Sequence, residues 1–138
     1  MRTGSYAAYK GKEYYLSKKE EGFFNLVSEI FEDEKTGFKQ NPYGLYTKKI
    51  SFGDIEHAYH INTFCSYKGH RFEIWREEAG KLIVDTMDRA LLASLNLVER
   101  ERGVYEARVT PDELDSIWEE REPVYDLPFL TDPIKIIK

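Results

Sequence analysis

His57 and His60 stand three residues apart, with Asp54 three residues before the first and Cys65 five after the second. Two imidazoles at i, i+3 on one helix can share a metal ion, and a cysteine near a histidine is the beginning of a nucleophilic pair. Either chemistry needs the side chains to converge, and the surrounding pattern sends them apart. Ile55, Ala58 and Tyr59 form the apolar stripe of a predicted helix, which turns both histidines toward solvent. Cys65 falls on an apolar position of a predicted strand, where it reads as a small buried hydrophobe. It is the sole cysteine, so the chain has neither an internal disulfide nor a thiolate metal cage.

The other reactive residue types are equally dispersed. Glu77, Glu78, Glu119, Glu120 and Glu122 lie in short runs on predicted turns or helix surfaces, with nothing to drive one pKa away from another. The nine glycines are isolated turn residues, and neither GxGxxG nor GxxxxGK[ST] occurs. A net charge of −5 repels a phosphate backbone, and "YTKK" at 46–49 is the one basic cluster among the tyrosines, so no nucleic-acid partner is expected. No catalytic residue, metal or cofactor follows from these residues, and the expectation is a protein that is not an enzyme.

One acidic constellation stands out. From Pro111 onward a helix is predicted that buries Leu114, Ile117 and Trp118. Its free faces carry Asp112, Asp115, Glu119 and Glu120, a surface suited to a basic protein. Phe129 and Leu130, in the apolar tail, are the second candidate contact.

These residues are positioned by a repeated framework. "YKGKEY" at 9–14 returns as "YKGHRF" at 67–72, an offset of 58 residues that persists through Leu16 and Ile74, Gly22 and Gly80, and Leu26 and Val84. The offset then becomes 59 and carries Phe38 to Leu97, Gly44 to Gly103, Ile50 to Val109 and Tyr59 to Trp118. What repeats is apolar residues and turn glycines, whereas the polar residues differ, so a scaffold was duplicated and not a site. Each copy reads as three meandering strands, a short helix, a fourth strand after a glycine, and a last helix capped by Ser51 or Thr110. The expected fold is therefore α+β: a tandem, pseudo-twofold duplication of a unit of about 58 residues, β-β-β-α-β-α, with a pair of SH3-like small barrels as the alternative. The expected divisions are 1–63, 64–122 and a proline-containing apolar strap at 123–138, all within one compact globular unit.

A chain of 138 residues, pI ≈ 5.3 and 14% aromatic content, with no catalytic constellation, resembles the small acidic immunity proteins of bacterial polymorphic toxin systems. The resemblance is one of class and has no diagnostic motif. It implies a protein-binding module that neutralises a cognate toxin domain, itself basic. The alternative is a structural or regulatory homo-oligomer, in its simplest form a homodimer, assembled through the tail. With no run of ~20 apolar residues and no secretory apolar segment, the expected location is the cytoplasm, away from membranes.

Overall fold

A computed structural model describes residues 3–20, 22–129 and 133–138. The two repeated phrases form two-residue hairpin corners. Strand β1 (Gly4–Tyr9) pairs antiparallel with β2 (Lys12–Glu20), with Tyr9 opposite Lys12. Lys10 and Gly11 turn the corner with φ of 50° and 77°, the doubly left-handed geometry that matches strand twist. Strands β6 (His57–Tyr67) and β7 (His70–Glu78) meet in the same way, with Lys68 and Gly69 at 49° and 79°.

The rest of the chain continues in short antiparallel strands. After β2 come β3 (Phe23–Ser28), a 3-10 helix at Phe31–Thr36, β4 (Lys39–Gln40) and β5 (Tyr46–Ser51). After β7 come β8 (Lys81–Thr86), the helix α1 (Ala90–Ser94), β9 (Val98–Glu101) and β10 (Val104–Val109). Strands β11 (Leu114–Glu122) and β12 (Ile134–Ile136) complete the described chain.

Two compact units result. The N-terminal unit comprises Gly4–His60 with residues 122–129, and the C-terminal unit Ile61–Arg121 with residues 133–138. In the first the strand order is β4-β5-β3-β2-β1 and then the start of β6; in the second it is β9-β10-β8-β7-β6-β11, with β12 added beside β11. The pairings themselves correspond. Leu26 lies opposite Lys48 as Val84 lies opposite Ala107, and Lys39 opposite Thr47 as Val98 opposite Glu106. The Phe38 amide donates to the Asp33 carbonyl as the Leu97 amide donates to that of Leu92.

The α+β expectation, with its β-β-β-α-β-α unit, is overturned: the fold is mainly antiparallel sheet. The last helix of each supposed unit is one 3-10 turn, Phe52–Asp54 or Pro111–Glu113, feeding directly into a strand. The caps are real, since the Ser51 amide donates to the Asp54 carboxylate at 3.1 Å and the Thr110 amide to that of Glu113 at 2.7 Å. Beyond them Ile55 and Leu114 take extended backbone, and burial runs at the period of two from Tyr59 through Ile61, Thr63 and Cys65 to Tyr67. Among the described residues β4 pairs with β5 alone, β9 with β10 alone and β12 with β11 alone, so each unit's sheet keeps an open edge.

Each unit has its own core. Tyr14, Leu16, Phe24, Leu26, Phe38 and Ile50 fill the N-terminal one, joined by Val124 and Leu127 from the tail. Phe72, Ile74, Leu82, Val84, Leu97 and Val109 fill the other. Among the described residues no helix is long and apolar enough to cross a membrane.

Candidate functional site

Alternation in "HRFEIWREE" sends Phe72 and Ile74 into the C-terminal core and Arg71 and Glu73 to the other face of the sheet. Between Ile74 and Arg76 the pairing with β8 slips by one residue, a bulge that leaves Trp75 outside the ladder and 44% exposed. Its ring does not swing freely. The guanidinium of Arg100 lies 3.8 Å from the ring centroid and that of Arg76 4.2 Å, within cation–π range.

Arg100, reaching in from β9, donates to Asp85 at 2.9 Å, and its Nε sits 3.6 Å from the Glu106 carboxylate. Burial, joined by the nearby charges of Glu106 and Glu101, holds the Asp85 carboxyl above its ordinary pKa against the opposing pull of Arg100. Arg71 stacks on Phe64 at 3.8 Å and donates to both oxygens of Glu120, at 3.0 and 3.1 Å. Trp118 donates its indole N–H to Glu120 at 2.9 Å, and its ring stacks on Phe64. Phe64, Arg71, Trp75, Asp85, Arg100 and the exposed Met87 enclose a groove of about 310 Å³.

This arrangement is an aromatic surface held rigid by guanidinium–carboxylate pairs. Aromatic rings and arginines fixed in advance are what protein interfaces use as anchors, because little side-chain entropy is lost on contact. The corresponding face of the N-terminal unit is built differently: the Tyr6 and Tyr15 rings pack at 4.8 Å with a tilt of 32°, and the Tyr59 hydroxyl donates to Glu13.

The residues singled out from sequence are scattered. Asp112 lies in the 3-10 turn and Asp115 at the start of β11, both exposed. Glu119 points inward: it is 4% exposed and paired with Arg121 at 3.1 Å, because β11 is a strand and not the expected helix. Glu120 is engaged by Arg71 and Trp118, as above. Phe129, half-buried, stacks on Phe52 in the N-terminal unit, and Leu130 lies outside the described residues.

The histidines also sit on a strand, where residues three apart point to opposite faces and cannot share a metal. His57 is exposed, while the Nδ1 of His60 is 3.2 Å from the Ser5 hydroxyl. Among the described residues no histidine, cysteine and carboxylate group is placed to hold a metal. Burial pushes the Cys65 thiol up to about 12, so it stays protonated and unreactive. The residues that sequence reasoning missed are Phe64, Arg71, Trp75, Asp85 and Arg100. One signal existed: Trp75 is a large aromatic beside Arg76 on a strand whose core positions were already supplied by Phe72 and Ile74.

Residues 1–125 match the family described as Uncharacterised conserved protein UCP033725, and the chain belongs to that family. No curated protein and no solved structure matches it.

Proposed function

We propose that this member of the family is a non-enzymatic protein-binding module whose contact surface is the Trp75 face of the C-terminal unit. The observation that carries the reading is Trp75 itself, displaced outward by a bulge and clamped by Arg76 and Arg100 beside Phe64. A bulge that exposes a tryptophan removes it from the core and leaves its ladder position unpaired. Binding accounts for both. The finer reading is an immunity protein acting in the cytoplasm against a toxin domain, and the net charge of −5 supports a basic partner.

The test is affinity capture with the tagged full chain, identification of the partner, and calorimetry with variants. Trp75→Ala is expected to weaken binding by about 2 kcal/mol or more, the range of interface anchors. Trp75→Ala and Arg100→Ala variants that bind as wild type overturn the assignment of this face.

A second reading rests on β12, a three-residue edge strand that leaves Ile134 and Ile136 exposed beside β11. An apolar edge of this kind suits pairing with a second copy. Sedimentation showing a dimer that Ile136→Glu dissociates favours that reading.

A further inference from the structure

Three carboxylates stand side by side across the sheet of the C-terminal unit. Glu73 on β7 lies opposite Asp85 on β8, and Asp85 lies opposite Glu106 on β10. Like charges directly opposite one another destabilise a sheet. The duplicated framework does not require them. At the offsets of 58 and 59 the same row in the N-terminal unit is Tyr15, Val27 and Thr47, joined in the same register and uncharged. Trp75 and Arg100 belong to the same set, for their counterparts are Ser17 and Asn41.

The cation that answers this row also holds Trp75. Arg100 lies 2.9 Å from Asp85, 3.6 Å from Glu106 and 3.9 Å from Glu101, and its guanidinium is 3.8 Å from the centre of the indole. Glu101 is exposed and its charge is screened by water, whereas the side chains of Asp85, Glu106 and Arg100 are largely buried. One guanidinium cannot neutralise two buried carboxylates, and Glu106 Oε2 is buried with no hydrogen-bond partner among the described residues. The neighbouring cations are bonded elsewhere. Arg71, lining the same groove, is held by Glu120, and Arg76 and Arg108 pair with Glu78 at 2.7 and 3.2 Å. Burial first, and then the charges of Glu106 and Glu101, hold the Asp85 carboxyl above its ordinary pKa. Once Asp85 is neutral, its bond to Arg100 loses the strength that charge lends it.

We propose that this row gates the Trp75 face by protonation: ionised, it fixes Arg100 against the indole, and one proton taken up at Asp85 frees both. The clamp is set at neutral pH and released in mild acid. Its consequence for binding rests on the reading of this face as the contact surface, since an anchor that must be ordered on contact binds more weakly than one fixed in advance. Release is distinct from unfolding. A carboxyl raised on folding takes its proton in the folded chain first, so at this site the proton favours the fold.

The isotopically labelled full chain, taken from neutral pH into mild acid, tests the gate without a partner. The readouts are the Asp85 carboxyl carbon shift, the Trp75 indole N–H shift, and acrylamide quenching of Trp75 fluorescence in a Trp118→Phe chain. The Asp85 midpoint is expected above the ordinary aspartate value of about 3.9. The indole is expected to shift with the same midpoint and to become more accessible to acrylamide below it, while the amide shifts of the core stay in place. Asp85→Asn is expected to hold the indole at its acid position at pH 7 and to abolish its titration. Glu106→Gln removes one repelling charge and is expected to lower the Asp85 midpoint, which decides the matter if Asp85→Asn does not fold. An Asp85 midpoint at or below the ordinary value, or one that Glu106→Gln leaves unmoved, overturns the proposal. So does an indole that shifts without becoming more accessible, or that titrates as wild type in Asp85→Asn. A gate that works while the captured partner binds through other residues overturns instead the reading of this face as the contact surface.

Discussion

The two units share their ladder and differ in what they hang on it. Where the C-terminal unit has Leu92 packed against its core, the N-terminal unit has the buried Asp33, bonded to Ser28 and to Lys12 at 3.0 Å. Where one has Ala107 opposite Val84, the other has Lys48 opposite Leu26. At the offset of 58, Trp75 corresponds to Ser17, which stays in the ladder opposite Asn25. Most positions facing the cores stay apolar, because a polar replacement there is accommodated only where bonded partners offset its desolvation, as Ser28 and Lys12 do for Asp33. Outward positions carry no such constraint, so divergence there has produced two chemically distinct surfaces from one framework.

If the cores are equivalent, they should fail equivalently. Phe72 and Tyr14 occupy matching positions opposite Cys65 and Ala7, and both are buried. Phe72→Ala and Tyr14→Ala are each expected to destabilise by about 3–5 kcal/mol, the range for deleting a buried large aromatic. Urea denaturation followed by circular dichroism measures this. A loss under about 1 kcal/mol in one unit alone would break the comparison at its base.

That equivalence was legible in the sequence because it resides in apolar spacing and in the Lys-Gly corners, both local properties. The strand nature of β11 and of the first part of β6 was not. Ile55, Ala58 and Tyr59, like Leu114, Ile117 and Trp118, have the spacing of a helix stripe, and Ser51 and Thr110 are genuine caps. A single turn followed by a strand satisfies both signals. The period-two run of "HAYHINTFCSY", taken over its whole length, carried the contrary evidence. The Trp75 bulge depends on how β7 aligns with β8, a non-local pairing that no segment of sequence contains. Arg100 and Asp85 meet across β9, β10 and β8, for the same reason invisible until the order of strands is known.

The Asp33 cluster sharpens the contrast, because it should make the N-terminal unit acid-sensitive in a way its counterpart is not. Burial pushes the Asp33 carboxyl upward, but the bonds from Ser28 and Lys12 more than offset this and leave its pKa below the ordinary value. A carboxyl depressed on folding stabilises fully above its unfolded pKa, and that contribution is lost as pH falls through the folded value. Asp33→Asn is therefore expected to cost about 1–3 kcal/mol at pH 7. The gap between wild type and variant should shrink at pH 3, as denaturation midpoints at the two values will show. A gap that widens on acidification would mean that Asp33 is held protonated in the folded chain.

The smallest effect tests the finest correspondence, that of the corners. Gly11 and Gly69 adopt φ of 77° and 79°, and a Cβ built on either would meet no atom within 4 Å. Replacement by alanine therefore creates no clash, and the penalty is conformational alone. A left-handed backbone costs an L residue roughly 1–2 kcal/mol, and the lower entropy of the unfolded alanine chain returns about 0.4–1 kcal/mol of this. The net expectation is a loss of about 1 kcal/mol for Gly11→Ala and the same for Gly69→Ala, read from denaturation midpoints of the two single variants. The Gly11 amide also donates to the Glu56 carboxylate at 2.7 Å. Because no atom lies near either Cβ, a difference beyond about 0.5 kcal/mol would have to come from that bond or from the turns, and Gly11→Ala in a Glu56→Gln background separates the two.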